Sequence, residues 1–242
     1  MLTPSARSSK NHSAAEENVW DVSGVDISAV NPNRKLIALT FDDAPVKTLE
    51  RIVSVFLRFN ASHPDCLASA TLFCNGKNIT ASTISSLHAA YAAGFELGNH
   101  TQTHRRLTAL SFPEIQREMI ETDNLLQRID GQTLHLLRVP YGELNELVRQ
   151  AANAPIIDWL IDTLDWTGKP VEEIHQTVIR QKADGAIVLM HDGYENTVLA
   201  LKTLLPDLYE NGYQAVSVSQ MAKAHSVTLK NGNVYIRARK IS

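Results

Sequence analysis

Asp42 and Asp43 stand side by side at the end of an apolar run, in the segment TFDDAP. Adjacent residues on a regular strand point to opposite faces. At a strand end one carboxylate can therefore bind metal while the other stays free as a base; alone, such a pair more often just caps the next helix. His100 and His104, in HTQTH, have a spacing that lets both imidazoles reach one metal from a helical turn or compact loop. With Asp43 they form a two-histidine, one-carboxylate set that leaves open positions for water and substrate and suits zinc or another divalent first-row metal.

Three further segments follow in order: RVPYG from Arg138, DTLDW from Asp162 and LMH from Leu189. Arg138 ends an apolar stretch, where a charge is costly without a partner. One reading pairs it with Asp42, keeping that carboxylate ionised; the other is an ordinary structural ion pair. Pro140 and Gly142 shape a turn in which the Tyr141 N–H can face a developing oxyanion. Trp166, beside Asp165, and Trp159 upstream are either sugar-stacking walls or core residues. His191 closes the run AIVLM as a core histidine, a cap or an acid, and an acidic partner such as Asp165 would keep it protonated and ready to donate.

The elements that must position these groups alternate. Apolar runs predict strands at Lys35–Phe41, Ser69–Cys74, Phe95–Gly98, Leu134–Val139, Pro155–Ile161, Ala186–His191 and Tyr213–Val218. Helical spacing predicts helices at Thr48–Phe59, Ser82–Ala93, Glu143–Ala152, Val171–Lys182 and Glu195–Asn211. A further helix begins at Ser111, where Glu114 completes a capping box, and stops at Gly131. Asn231–Gly232 within Val227–Arg239 predicts a C-terminal hairpin. Such alternation argues for an α/β protein with a parallel sheet, in which all five motifs sit at the C-terminal ends of strands, where such folds keep their active sites.

With 242 residues, 44% hydrophobic and 20% charged, the chain suits a soluble globular protein. A net charge of -3 gives no basic footprint for nucleic acid. No apolar run approaches the roughly 20 residues of a membrane span. Residues 1–34 are expected to form a polar arm or linker with little core, and 35–242 a single catalytic domain. The first 20 residues lack a signal peptide's apolar stretch, so the chain is either cytoplasmic or separated from an export signal or anchor. Cys66 and Cys74, the only cysteines, are expected to be free thiols.

Together the five segments resemble the polysaccharide deacetylases of carbohydrate esterase family four, in order, over roughly Lys35 to Met221. The resemblance implies an irregular (β/α) barrel of seven or eight strands and hydrolysis of acetyl groups from sugars of peptidoglycan, chitin or xylan. It implies Asp42 as general base, Asp43, His100 and His104 as ligands of one divalent metal (zinc foremost, then cobalt, manganese or nickel), and Arg138 as the holder of the base. It gives Tyr141 the backbone donor for the oxyanion, Asp165 the tuning of the acid, His191 the acid itself, and Trp166 and Leu189 the acetyl-methyl pocket. The chain departs from the family pattern at Ala44, where glycine is usual, and at Val139, where proline is usual. Ala44 would be strained if its φ had to be positive.

The expected partner is an acetylated polysaccharide or oligosaccharide, the expected state a monomer and the expected location secreted or cell-surface, because such polymers lie outside the cytoplasm. An O-acetyl xylan esterase on the same site is the rival activity. A catalytically inactive carbohydrate-binding protein is the rival of another class, in which a ligand, the base or the acid should be missing. A glycosidase would leave the histidine pair unexplained.

Overall fold

The computed structural model describes residues 19–239. Among these, the strands are β1 (Lys35–Ala44), β2 (Thr71–Cys74), β3 (Glu96–Asn99), β4 (Ile156–Ile157), β5 (Ile161–Asp162), β6 (Ala186–His191), β7 (Tyr213–Ala215) and β8 (Val234–Tyr235). The helices are α1 (Leu49–Ser62), α2 (Ile84–Ala92), α3 (Phe112–Asp130), α4 (Glu146–Ala151), α5 (Val171–Gln181), α6 (Glu195–Glu210) and α7 (Val218–Ala224).

The sheet runs β3-β2-β1-β6-β5, all parallel, and β7 pairs with the first residues of β1. Beyond β3 it continues through single bridges, Asn99 to Leu137 and Leu137 to Ile156, into β4, which pairs with β8. The chain returns to β6 where Leu160 N–H donates to Ile187 O at 2.9 Å. The strands thus curl into an irregular (β/α) barrel.

Both faces of β1 are buried, which is why it reads as a continuous apolar run rather than an alternating one. Ile37, Leu39 and Phe41 pack outward with Phe56 of α1 and Leu204 of α6. Leu36 and Ala38 pack inward with Phe73, Ile157 and Ile187, joined by Val218 and Met221 of α7. The inward face then changes character: Thr40 and Asp42, next in the same alternation, are buried polar groups. The barrel is apolar at its base and polar at its mouth.

Several sequence expectations need correction. The C-terminal hairpin does not form. Its turn is present, with Gly232 at φ +73°, but Lys230 bridges to Val19 and Val234–Tyr235 joins β4. The exposed edge of β4 takes the arm that a hairpin would have paired, through Ile156 N–H to Asn233 O and Asp158 N–H to Tyr235 O, both 2.9 Å. Leu134–Val139 is no regular strand; it joins its neighbours only by isolated bridges at Leu137. On one side Asn99 N–H donates to Leu136 O and Arg138 N–H to Asn99 O; on the other Leu137 N–H donates to Pro155 O and Ile157 N–H to Leu137 O. Pro155 has no N–H to extend the latter. Pro155–Ile161 divides into β4 and β5. The last strand stops at Ala215, and α7 follows from a Ser217–Gln220 capping box.

Of the expected N-terminal arm, residues 1–18 lie outside the described residues. Trp20 and Val30 pack against the inner cluster, and Trp20 N–H donates to Leu229 O. Cys66 and Cys74 are both free and buried.

Candidate active site and metal centre

The mouth of the barrel gathers all ten residues singled out from the sequence. β1 ends irregularly: its register against β2 shifts between Phe41 and Ala44, and Asp43 takes φ +64°. This breaks the strand alternation, so neighbouring carboxylates both reach the mouth. His100 Nε2 lies 3.6 Å from Asp42 Oδ2 and 4.0 Å from Asp43 Oδ1. Ala44 is not among the positive-φ residues; it pairs with Cys74 within the sheet, so a side chain is tolerated there. The Ala44–Pro45 peptide is cis.

One ligand atom from each of Asp43, His100 and His104 lies within 4.8 Å of the other two. His100 is almost wholly buried, and its Nδ1–H donates to Arg138 O at 2.8 Å. That bond fixes the tautomer, leaving the Nε2 lone pair toward Asp43, as a metal ligand requires. His104 Nε2 lies 3.7 Å from Asp43 Oδ1, with side chains 21% and 39% exposed. Burial, then the neighbouring His100, push its pKa down against the pull of Asp43. A deeply held histidine nitrogen and two more open ligands fit a small divalent ion with a face left for substrate.

Asp42 sits behind the triad. Arg138 Nη1 donates to Asp42 Oδ1 at 2.8 Å and to Thr40 Oγ1 at 2.6 Å, while Nε donates to Ile157 O at 3.0 Å. The guanidinium is 1% exposed and lies 4.1 Å from the centroid of the Phe73 ring. Burial works to raise the Asp42 pKa, but Arg138, His100 and His191 outweigh it, and the carboxyl is held below its usual range. The buried pair expected between Arg138 and Asp42 is present. Thr40, which the sequence reading passed over, completes it.

His191 lies opposite Asp42 in the β1–β6 register. Its Nδ1–H donates to Asp165 Oδ1 at 2.8 Å, and its backbone N–H donates to Asp165 Oδ2 at 2.8 Å. Asp165 also accepts from Thr197 Oγ1 at 2.6 Å and Trp166 N–H at 2.9 Å. Burial disfavours the imidazolium, but the Asp165 bond and the charges of Asp42, Asp165 and Asp43 prevail and raise the His191 pKa. The mouth thus carries, on adjacent strands, a carboxyl whose pKa is pushed down and an imidazole whose pKa is pushed up.

Tyr141 has φ +65° in the PYG turn, and its N–H donates to no acceptor among the described residues. Trp166 is 53% exposed at the rim, whereas Trp159 packs under the turn, where a Cβ on Gly142 would meet its ring at 3.0 Å. Leu189 is buried, two positions before His191 on the same strand face. Sequence reasoning also missed the groups behind the histidine loop: Asn99, Glu118, Asp123 and His135, all buried. A buried polar face on α3, between its apolar positions, was the available signal.

A barrel whose mouth gathers two histidines and an aspartate able to hold a metal ion between a carboxylate and an imidazole has the make-up of a hydrolase. The sequence model described as polysaccharide deacetylase matches residues 29–155, and the chain belongs to that family. It is 32% identical over 192 residues to the peptidoglycan-N-acetylmuramic acid deacetylase of Bacillus subtilis. That match takes in 79% of this chain and 40% of the relative, so the chain spans well under half of it. A family 4 acetyl xylan esterase from Clostridium thermocellum, solved with a cobalt ion, superposes with TM-score 0.77 at 25% identity, covering 84% of this chain and 98% of that one. A family 4 pseudoenzyme from Bacillus anthracis superposes with TM-score 0.68 at 27% identity, covering 79% and 66%.

Proposed function

We propose that this chain hydrolyses acetyl groups from N-acetylated sugars of a cell-wall or chitin-like polysaccharide, in a metal-dependent reaction with Asp42 as base and His191 as acid. The observation that carries the reading is the placing of two oppositely tuned groups, Asp42 on Arg138 and His191 on Asp165, beside the Asp43–His100–His104 triad. The family also holds a pseudoenzyme, so membership alone does not decide activity. Here no ligand, base or acid is missing, which argues against a purely sugar-binding role.

Zinc in the triad, or cobalt, manganese or nickel in its place, would polarise the acetyl carbonyl and lower the pKa of water toward about 7. Asp42 accepts the proton of the attacking water, and Arg138 keeps that carboxylate ionised and fixed. The Tyr141 N–H donates to the developing oxyanion. His191 Nε2, left free because Nδ1 is bound to Asp165, protonates the departing nitrogen. Trp166 and Leu189 enclose the acetyl methyl. Pro45, Lys47, Lys77 and Thr80 border a cavity of about 500 Å³ beside the end of β1, room for sugars flanking the one deacetylated. On this reading the protein works outside the cytoplasm, secreted or surface-held, because such a polymer lies there, and as a monomer.

An O-acetyl xylan esterase is the second reading, favoured by the acetyl xylan esterase among the structural neighbours. Acetate release from chitooligosaccharides, peptidoglycan fragments and acetylated xylan, with zinc, cobalt or chelator, separates the two. Chelator-sensitive acetate from the N-acetylated glycans is expected, and Asp42→Asn should release none while still holding zinc. Release from xylan alone would establish the esterase; no release by a zinc-loaded protein would sink both.

A further inference from the structure

The loop that presents both metal histidines is unusual backbone. Thr101 and His104 take φ +67° and +59°, the left-handed region that disfavours residues with a Cβ. Something must hold it there. Thr101 N–H donates to Asn99 Oδ1 at 2.8 Å, and His104 N–H donates to Thr101 Oγ1 at 3.2 Å. Asn99 Nδ2 in turn donates to Asp123 Oδ1 at 2.8 Å and to Met119 O at 2.8 Å, both on α3. Behind Asp123 stands His135, whose Nδ1 lies 2.9 Å from Asp123 Oδ1 and whose Nε2 lies 3.1 Å from Asp130 Oδ2. Both ring nitrogens face carboxylates, an arrangement that requires the imidazolium. Asn99, Asp123 and His135 are all less than a tenth exposed.

Buried charges are costly and are tolerated when paired. Two carboxylates with one imidazolium exceed what packing needs, since an apolar cluster would fill the space between α3 and β3 at lower cost. The chain of contacts instead ends one residue from His100. From the other side of the same helix face, Glu118 O accepts from Gln102 N–H at 2.8 Å and its carboxylate accepts from Thr103 N–H at 2.7 Å and from the Thr103 hydroxyl.

We propose that Asp123, clamped from behind by His135 and Asp130, is a positioning residue for the metal centre: it holds Asn99, and through it the turn that aims His100 and His104 at a common ion. The inference rests on the metal reading of the triad. Outer partners of metal ligands act through ligand orientation, and their loss weakens metal binding about 10–100-fold. Asp123→Ala breaks the chain, whereas Asp123→Asn keeps an acceptor oxygen for Asn99.

The test is zinc affinity, measured by competition with a chromophoric chelator on folded wild-type and variant protein, alongside thermal unfolding. His175→Ala serves as control, because His175 is another buried histidine on a carboxylate, 2.7 Å from Asp207, remote from the loop. Asp123→Ala should bind zinc about 10–100-fold more weakly, Asp123→Asn should recover most of that loss, and His175→Ala should lose stability with unchanged zinc affinity. Asp123→Ala with wild-type zinc affinity and a lowered Tm would overturn the proposal. Should that variant not fold, His135→Gln carries the same test: weaker zinc binding supports the positioning role, and unchanged binding overturns it. Failure of the wild type to bind zinc would instead overturn the metal reading itself.

Discussion

At Asp43 the backbone turns into the left-handed region, and that single φ of +64° separates the work of two neighbouring carboxylates. Asp42 stays on the interior face with Thr40 and Arg138; Asp43 swings to the rim, 39% exposed, toward the histidines. The sequence shows both acids and the arginine but not the bulge that aims them, since register depends on the neighbouring strand. His191 is set by contact in the same way. The Asp165 carboxylate accepts four hydrogen bonds, two of them from His191. Asp165→Asn removes the charge that supports the imidazolium, so the His191 pKa should fall. His191 would then lose its proton at lower pH, and the alkaline limb of the kcat/KM profile for acetate release should move toward acid. An unshifted limb, with kcat/KM merely lowered, would show that the limb belongs to another group.

Among the elements, α3 was the easiest to read and the least understood. Its capping box at Ser111 and Glu114 and its stop at Gly131, φ +78°, follow from local chemistry, and its bounds agree with the sequence reading. Local chemistry does not show that its buried face carries Glu118 and Asp123 for a loop on another element. The short strands were harder. β4 and β5 have two residues each, and Leu134–Val139 is held by two isolated bridges at Leu137, with the Arg138 side chain adding bonds to Thr40, Asp42 and Ile157 O across the interior. The α3 cluster carries a pH signature. Burial works to lower the His135 pKa, but the bonds and charges of Asp123 and Asp130 raise it to about 9. A pKa raised above the unfolded 6.5 means stability that is fully present below about pH 6.5 and lost as pH rises through about 9, worth about 3 kcal/mol. Urea unfolding of the metal-free protein at pH 6, 8 and 10 should show the deficit of His135→Gln shrinking toward pH 10. A deficit constant across that range would mean that His135 is not charged in the folded protein.

For the whole molecule, the arrangement of polarity in the barrel explains why chemistry sits at one end. Leu36 and Ala38 fill the base with α7 beneath them, while Thr40, Asp42 and Arg138 occupy the same interior one layer higher. The polar groups of the candidate site therefore gather at the mouth, where β1, β3, β6 and their following loops converge. The Asp43–His100–His104 triad joins two of those loops, and Asp43 lies far along the chain from the two histidines. On the proposed metal reading, the folded protein should therefore bind zinc and the unfolded chain should bind it more weakly. By linkage, free zinc at 100 times its Kd adds about 2.7 kcal/mol to stability, which for a domain of this size corresponds to about 5–10 °C in Tm. Differential scanning calorimetry of chelator-treated protein, with and without added zinc, should show that rise. The rise should vanish in His104→Ala, which keeps the barrel but removes a ligand. It should also fade as the pH falls and the imidazoles protonate, since metal and proton compete for the same nitrogens. A zinc-induced rise of equal size in His104→Ala would place the binding elsewhere and remove the triad from the metal centre.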